Sequence, residues 1–178
     1  MSESDRGRAG GDEPDPDSAR SKLVSWHDPM QLASAAAGLS GLEFLQDMLD
    51  GKLPPPPIAS LLGMVPVSVT TGDVVFSCLP DESVYNPIGV VHGGLVCTLL
   101  DTVTACAVQS TLPPGVGYTS IEIKVSYLRP VAAGMALTAH GWVTKPGRRA
   151  AFAEGDVRDP AGVLLATASS TCLVMPGP

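Results

Sequence analysis

The sequence predicts an α+β fold: an antiparallel β-sheet wrapped around one long central α-helix, with a helical lead-in before it. Three observations carry this. Two short β-like runs, 65–70 and 74–78, flank Thr71-Gly72-Asp73, which reads as a hairpin turn. A single stretch, 93–112, spreads Leu95, Val96, Leu99, Leu100, Val103, Ala105, Ala107 and Val108 over most faces of one helix. A helix that is apolar nearly all round is normally buried. Strand-like segments then run to the C-terminus. One helix cannot cover both faces of a parallel sheet, so an antiparallel order is the economical solution. A face or edge would stay uncovered, which favours a dimer.

The 178 residues suit one domain with tails, and 44% apolar against 16% charged residues supply a core that a disordered chain would lack. Residues 1–22, rich in Gly, Pro, Asp and Ser without periodicity, read as a disordered acidic tail. Residues 23–62 read as the lead-in. Within it 42–49 has apolar residues at helical spacing, Gly51 stops the helix, and Pro54 to Pro57 make a stiff connector. The main domain takes 63–178, with Pro113-Pro114-Gly115 expected to end the long helix. Strands follow at 119–128, 136–145, 150–158 and 163–175, punctuated by Pro130, Pro146-Gly147 and the turn 159–162. In the first of them Ile121, Ile123, Val125 and Tyr127 alternate with Glu122, Lys124 and Ser126, which predicts a half-buried strand with the apolar set inward.

Composition narrows the function. A net charge of −7 argues against nucleic acid as the main partner, because that affinity comes largely from neutralising phosphates. The N-terminus has no apolar signal-peptide core, and the uncharged stretch 102–121, as long as any in the chain, is broken by Pro113, Pro114, Gly115 and Gly117. Neither a secretory signal nor a membrane span is expected. Cys78, Cys97, Cys106 and Cys172 show no paired spacing and lie in apolar contexts, so free thiols in a reducing cytoplasm are the expectation. His27 and His140 are isolated, and no cluster at ligand spacing calls for a metal.

The chemistry concentrates in 86–101. Asn86-Pro87 forms a turn, Gly89 keeps the loop supple, and His92-Gly93-Gly94 leads directly into the long helix. Backbone N–H groups at a helix start carry partial positive charge and stabilise a carbonyl oxygen or oxyanion placed there. Gly93 has no side chain to block the approach. Asp101 follows, a little over two turns into an otherwise apolar helix with no cation at helical spacing. An interior carboxylate of that kind needs a partner or a task.

Taken together, Asn86, Gly89, His92-Gly93-Gly94 and Asp101, then Tyr127-Leu128-Arg129-Pro130 and the turn Gly147-Arg148-Arg149, resemble the signature of hotdog-fold thioesterases. The likeness is to the PaaI-type (phenylacetic acid degradation) group, related to 4-hydroxybenzoyl-CoA thioesterases, and it covers about residues 40–175. It implies a hotdog fold that is an obligate dimer, often a dimer of dimers, with active sites at the dimer interface. It implies hydrolysis of an acyl- or aryl-CoA to free acid and CoA without metal or redox cofactor. The family's catalytic carboxylate matches Asp101, as general base or nucleophile, and its carbonyl-polarising N–H matches Gly93 of the other protomer. Asn86 matches an orienting position and reads equally as a turn former. His92 suits a base by its ordinary pKa, but shaping the loop is its expected role. A water-holding Ser or Thr matches Ser120, although strict alternation puts Thr119 inward instead; a bulge would reconcile the two. Lys145, Arg148 and Arg149, the densest basic cluster, would take the CoA phosphates or else form a solvated turn. Gly94 and Arg129 read as structural.

Two rivals stand beside this reading. A hotdog hydratase or dehydratase would need a histidine placed as base, making His92 more critical than Asp101. An acyl-CoA-binding protein without turnover would bind the ligand and release no thiol. The acyl group itself is not written in the sequence, because pocket volume decides it.

Overall fold

Packing of one helix into one sheet organises the chain. The structure, a computed structural model, describes residues 18–36 and 38–175; the expected tail at 1–17 lies outside the described residues. Among the described residues the helices are α1 (Pro29–Ala36), α2 (Gly41–Leu49), α3 (Pro57–Leu62) and α4 (Gly93–Gln109). The strands are β1 (Met64–Thr70), β2 (Asp73–Cys78), β3 (Gly117–Tyr127), β4 (Leu137–Lys145), β5 (Ala150–Arg158) and β6 (Leu164–Met175). They form one sheet in the order β1-β2-β4-β5-β6-β3, antiparallel at every step. The sheet wraps α4, which packs against β2, β3, β4, β5 and β6, so the arrangement is a hotdog fold. None of the helices among the described residues is long and apolar enough to cross a membrane.

The apolar surface of α4 holds this together. Leu99, Leu100, Val103, Ala107 and Val108 are wholly inaccessible, and each buried leucine or valine contributes about 1.5–3 kcal/mol. The helix lies unusually close to the sheet where Gly141 of β4 faces Gly155 of β5. A Cβ at position 141 would stand 2.3 Å from the Val103 carbonyl oxygen, so only glycine fits there. The helix stops at Gln109, short of the expected 112. Ser110 Oγ donates to the Ala107 carbonyl at 2.7 Å and Thr111 Oγ1 to that of Val108 at 2.7 Å. These hydroxyls take up the last carbonyls and turn the chain before the prolines are reached.

The lead-in is clamped to the domain. Ser40 and Glu43 form a reciprocal capping box at the start of α2, and Gly63, at φ +67°, ends α3 in the left-handed conformation. Of the lead-in helices, only α2 was marked out by periodicity; α1 and α3 were not. Residues 18–22 carry no helix or strand; Arg20 pairs with Glu82, and Lys22 with Asp81 at 2.6 Å. Hydrogen bonds from Lys22 and Ser83 hold the Asp81 carboxyl at about 2.

One expectation about β3 needs correcting. Ser120 pairs with Cys172 and Glu122 with Thr171, leaving Ile121 over as a bulge. The extra residue inverts the alternation. Tyr118 and Ser120 face inward before it and Ile123 and Val125 after it, while Ile121, expected inward, is 60% exposed. Tyr127 is also more than half exposed. The strand pairs with β6 alone, so its other side is an open sheet edge.

Candidate active site

Local backbone chemistry builds the first half of the site. His92 is extended (φ −62°, ψ 133°), and its Nδ1 accepts the Gly94 N–H at 2.8 Å while its carbonyl accepts that of Leu95 at 3.0 Å. Its own N–H donates to the Val84 carbonyl at 2.8 Å. Its ring therefore serves as the N-cap of α4, the loop-shaping role. The Gly93 N–H, first amide of the helix, has no acceptor among the described residues. Such an orphan donor at a helix start is where an anion or carbonyl oxygen is stabilised.

Asn86 organises the loop leading there. Its Oδ1 accepts the N–H groups of Ile88 at 3.1 Å and Val90 at 3.3 Å, and Gly89, at φ +78°, completes the turn. The side-chain oxygen is thus committed to the turn, as one of its two expected roles requires. One residue that the sequence analysis gave no site role stands here as well. The Tyr127 hydroxyl donates to the Gly93 carbonyl at 3.0 Å, across 34 residues of chain. Its ring lies 3.2 Å from where a Cβ on Gly93 would stand, so the glycine and the tyrosine fit each other. Nothing local in the sequence reports a contact of that range.

The second half lies deeper along α4. Ser120 Oγ donates to Asp101 Oδ1 at 2.8 Å, across the seam between helix and β3. The bulge at Ile121 is what turns Ser120 toward the carboxylate and leaves Thr119 exposed. Asp101 is half-buried, and Oδ2 carries no hydrogen bond among the described residues. Burial, reinforced by the Asp101 charge, pushes the Cys106 thiol up to about 12. Burial likewise raises Cys172 and lifts Tyr118 well above the ordinary phenol range, with Asp101 adding to both. These neighbours stay protonated at neutral pH, so they offer no competing anion.

Lys145, Arg148 and Arg149 stand exposed on the β4–β5 turn, with no ion pair among the described residues. Ser120 faces Cys172, and Cys172 faces Ala151, so the turn lies at the end of the sheet that carries Ser120. Gly93 and Asp101 are separated by eight residues of helix, about 12 Å at 1.5 Å per residue. Within one chain the two therefore do not meet at a single carbonyl group. Of the other histidines, His140 pairs with Asp73 at 2.8 Å on the sheet and His27 is exposed, both away from this seam.

The sequence model of the thioesterase superfamily matches residues 88–166, a span that holds Gly93, Asp101, Ser120 and the basic turn. The chain is similar to human acyl-coenzyme A thioesterase 13, 34% identical over 110 residues that cover 59% of this chain and 75% of that one. A Caenorhabditis elegans relative is 39% identical over 93 residues, covering 52% of this chain and 54% of its own length. Among solved structures, a phenylacetic acid degradation-related protein of Ralstonia eutropha JMP134 superposes with a TM-score of 0.67 at 33% identity, covering 72% of this chain and 97% of that one. The chain spans little more than half of the nematode protein. Identity of this order, sustained over three-quarters of the human relative and nearly all of the Ralstonia one, makes the chain a member of the thioesterase superfamily.

Proposed function

We propose that the protein is an acyl-CoA thioesterase, hydrolysing an acyl- or aryl-CoA to the free acid and CoA. The observation that carries this is the Ser120–Asp101 hydrogen bond at 2.8 Å, which holds a half-buried carboxylate with one oxygen unengaged. Asp101 takes a proton from a water that Ser120 helps to hold. The water oxygen attacks the thioester carbon, and the Gly93 N–H of a second protomer receives the developing oxyanion. The C–S bond then breaks, and the departing thiolate takes the proton from Asp101. Asn86 keeps the Gly93 loop in shape, His92 caps the helix, and Lys145, Arg148 and Arg149 hold the CoA phosphates. The reaction needs no metal or redox cofactor.

The roughly 12 Å between Gly93 and Asp101 along one helix is what calls for a dimer. The open edge of β3 offers the surface on which two copies would pair. A dimer of such dimers, in the cytoplasm, completes the proposal. The occupied Nδ1 of His92 weighs against a hydratase that would use this ring as its base.

Free-thiol release from a panel of short, medium, long and aryl acyl-CoAs tests the proposal. Wild type should turn over members of the panel, and Asp101→Asn should lower kcat by about 10²–10⁴, the usual share of a positioned acid or base. Turnover unaffected by Asp101→Asn would remove the carboxylate from its role. Binding without thiol release by the wild type would favour a non-hydrolytic acyl-CoA binder.

A further inference from the structure

We propose that Tyr127 is a positioning residue for the oxyanion donor, its hydroxyl and ring holding Gly93 in the conformation that presents the N–H. The assignment rests on the thioesterase reading of Gly93 and Asp101. It makes β3 the brace of both halves of the site, with Ser120 at the carboxylate and Tyr127 at the donor.

The register of β3 is the first argument. Ser120 and Tyr127 are seven residues apart, and an odd separation sends two side chains to opposite faces of a regular strand. Both nevertheless reach α4: Ser120 Oγ donates to Asp101 Oδ1 at 2.8 Å, and the Tyr127 hydroxyl to the Gly93 carbonyl at 3.0 Å. The bulge at Ile121 makes up the odd residue, so that Ile123, Val125 and Tyr127 share the face of Ser120. One irregularity thereby aims two side chains of one strand at the two groups the reaction needs.

Gly93 is a residue that needs such a hold. It opens α4, and helix ends fray where nothing outside the helix restrains them. Glycine also has the widest backbone freedom of any residue. The peptide group before it is fixed by the His92 carbonyl, which accepts the Leu95 N–H at 3.0 Å. The far side is fixed by Tyr127: its hydroxyl bonds the Gly93 carbonyl, and its Cε1 and Cζ lie 3.2 Å from the Cβ position of Gly93. Rotation about the bonds of the Gly93 Cα, which would re-aim the N–H, has to break that hydrogen bond or push the ring aside.

The tyrosine is itself well anchored. Tyr127 pairs with Ala166 of β6, and the N–H groups of Leu128 and Arg129 both donate to the Leu165 carbonyl, at 2.8 and 3.1 Å. The chain that leaves β3 also ties down the loop before Gly93. The Val91 N–H donates to the Val131 carbonyl at 2.9 Å, and the Ala133 N–H to the Tyr85 hydroxyl at 2.9 Å. The Tyr127 proton is spent on the Gly93 carbonyl, so the hydroxyl is not a second donor to the oxyanion and acts through Gly93.

Tyr127→Phe keeps the ring and removes the hydroxyl at a position more than half exposed, so the variant folds. In deuterated protein labelled with 15N-glycine, the amide signal missing from Gly93→Pro identifies Gly93. Its order parameter should be about 0.85 in wild type, as in rigid backbone, and fall toward about 0.6 in Tyr127→Phe. Thiol release from an acyl-CoA should show kcat about tenfold lower with KM within about twofold, and a non-hydrolysable thioether of CoA should bind as in wild type. An unchanged Gly93 order parameter, or an unchanged kcat, would overturn the assignment. So would a raised KM or weakened thioether binding with kcat intact, the mark of a substrate contact. If wild type releases no thiol, the hydrolase reading falls, and the order parameter alone decides whether Tyr127 holds Gly93.

Discussion

Gly93 is the residue at which donor and fold can be separated. It occupies the first helical position, where proline is well tolerated because the N–H has no helical acceptor. His92, at φ −62° and ψ 133°, already has the extended conformation that a following proline requires. Only the exposed Tyr127 ring, 3.2 Å from the Cβ position, must yield a little. Gly93→Pro should therefore keep a native circular dichroism spectrum while lowering kcat by about 10²–10³, the usual loss of one oxyanion donor. Near-normal turnover would take the oxyanion role away from this amide. His92 gives the complementary case. Asparagine is a good helix cap, so His92→Asn should preserve both stability and turnover, while His92→Ala should cost about 0.5–2 kcal/mol of stability. Loss of turnover in His92→Asn with the fold intact would make the ring a catalytic base.

At the scale of elements, the seat of α4 on the sheet is the most constrained contact. Gly141→Ala places a methyl group 2.3 Å from the Val103 carbonyl oxygen, and overpacking of this kind costs about 1–3 kcal/mol, visible as a lowered Tm. An unchanged Tm would mean that the helix can lift without penalty. The β4–β5 turn behaves differently because it is exposed: Arg148→Ala with Arg149→Ala should raise KM for acyl-CoA more than it lowers kcat, and an unchanged KM would return the turn to solvent. The regular elements were legible in the sequence because their signals are local. Alternation marked the strands, and the apolar sweep of 93–112 marked α4. What was not legible depends on contacts between distant residues. Two hydroxyls at Ser110 and Thr111 shorten α4, and the bulge at Ile121 turns Ser120, and not Thr119, toward Asp101. The sequence could state that choice but not make it. The Tyr127–Gly93 contact, with both residues inside the recognised motif, became visible only once β3 was laid beside α4.

At the scale of the whole molecule, the proposed mechanism makes the single chain an incomplete catalyst. Its proposed donor and base lie about two turns apart on one helix, and the β3 edge beside them is unpaired. Ile88, Ile121, Tyr127 and Leu128, at 83%, 60%, 54% and 51% exposure, leave apolar surface on the loop and strand that border the site. Exposed apolar surface of this kind marks an interaction face, and a second copy would cover it while bringing each Gly93 to the other chain's Asp101. Subunit complementation tests this central claim most directly. Asp101→Asn and Gly93→Pro protomers are each assayed alone for thiol release from acyl-CoA, then mixed under conditions that exchange subunits. Each alone should be nearly inactive, and the mixture should recover up to about a quarter of wild-type activity, because half of its dimers would hold one intact site. A mixture as inactive as its parents, with exchange verified by mass, would contradict an active site shared between two chains.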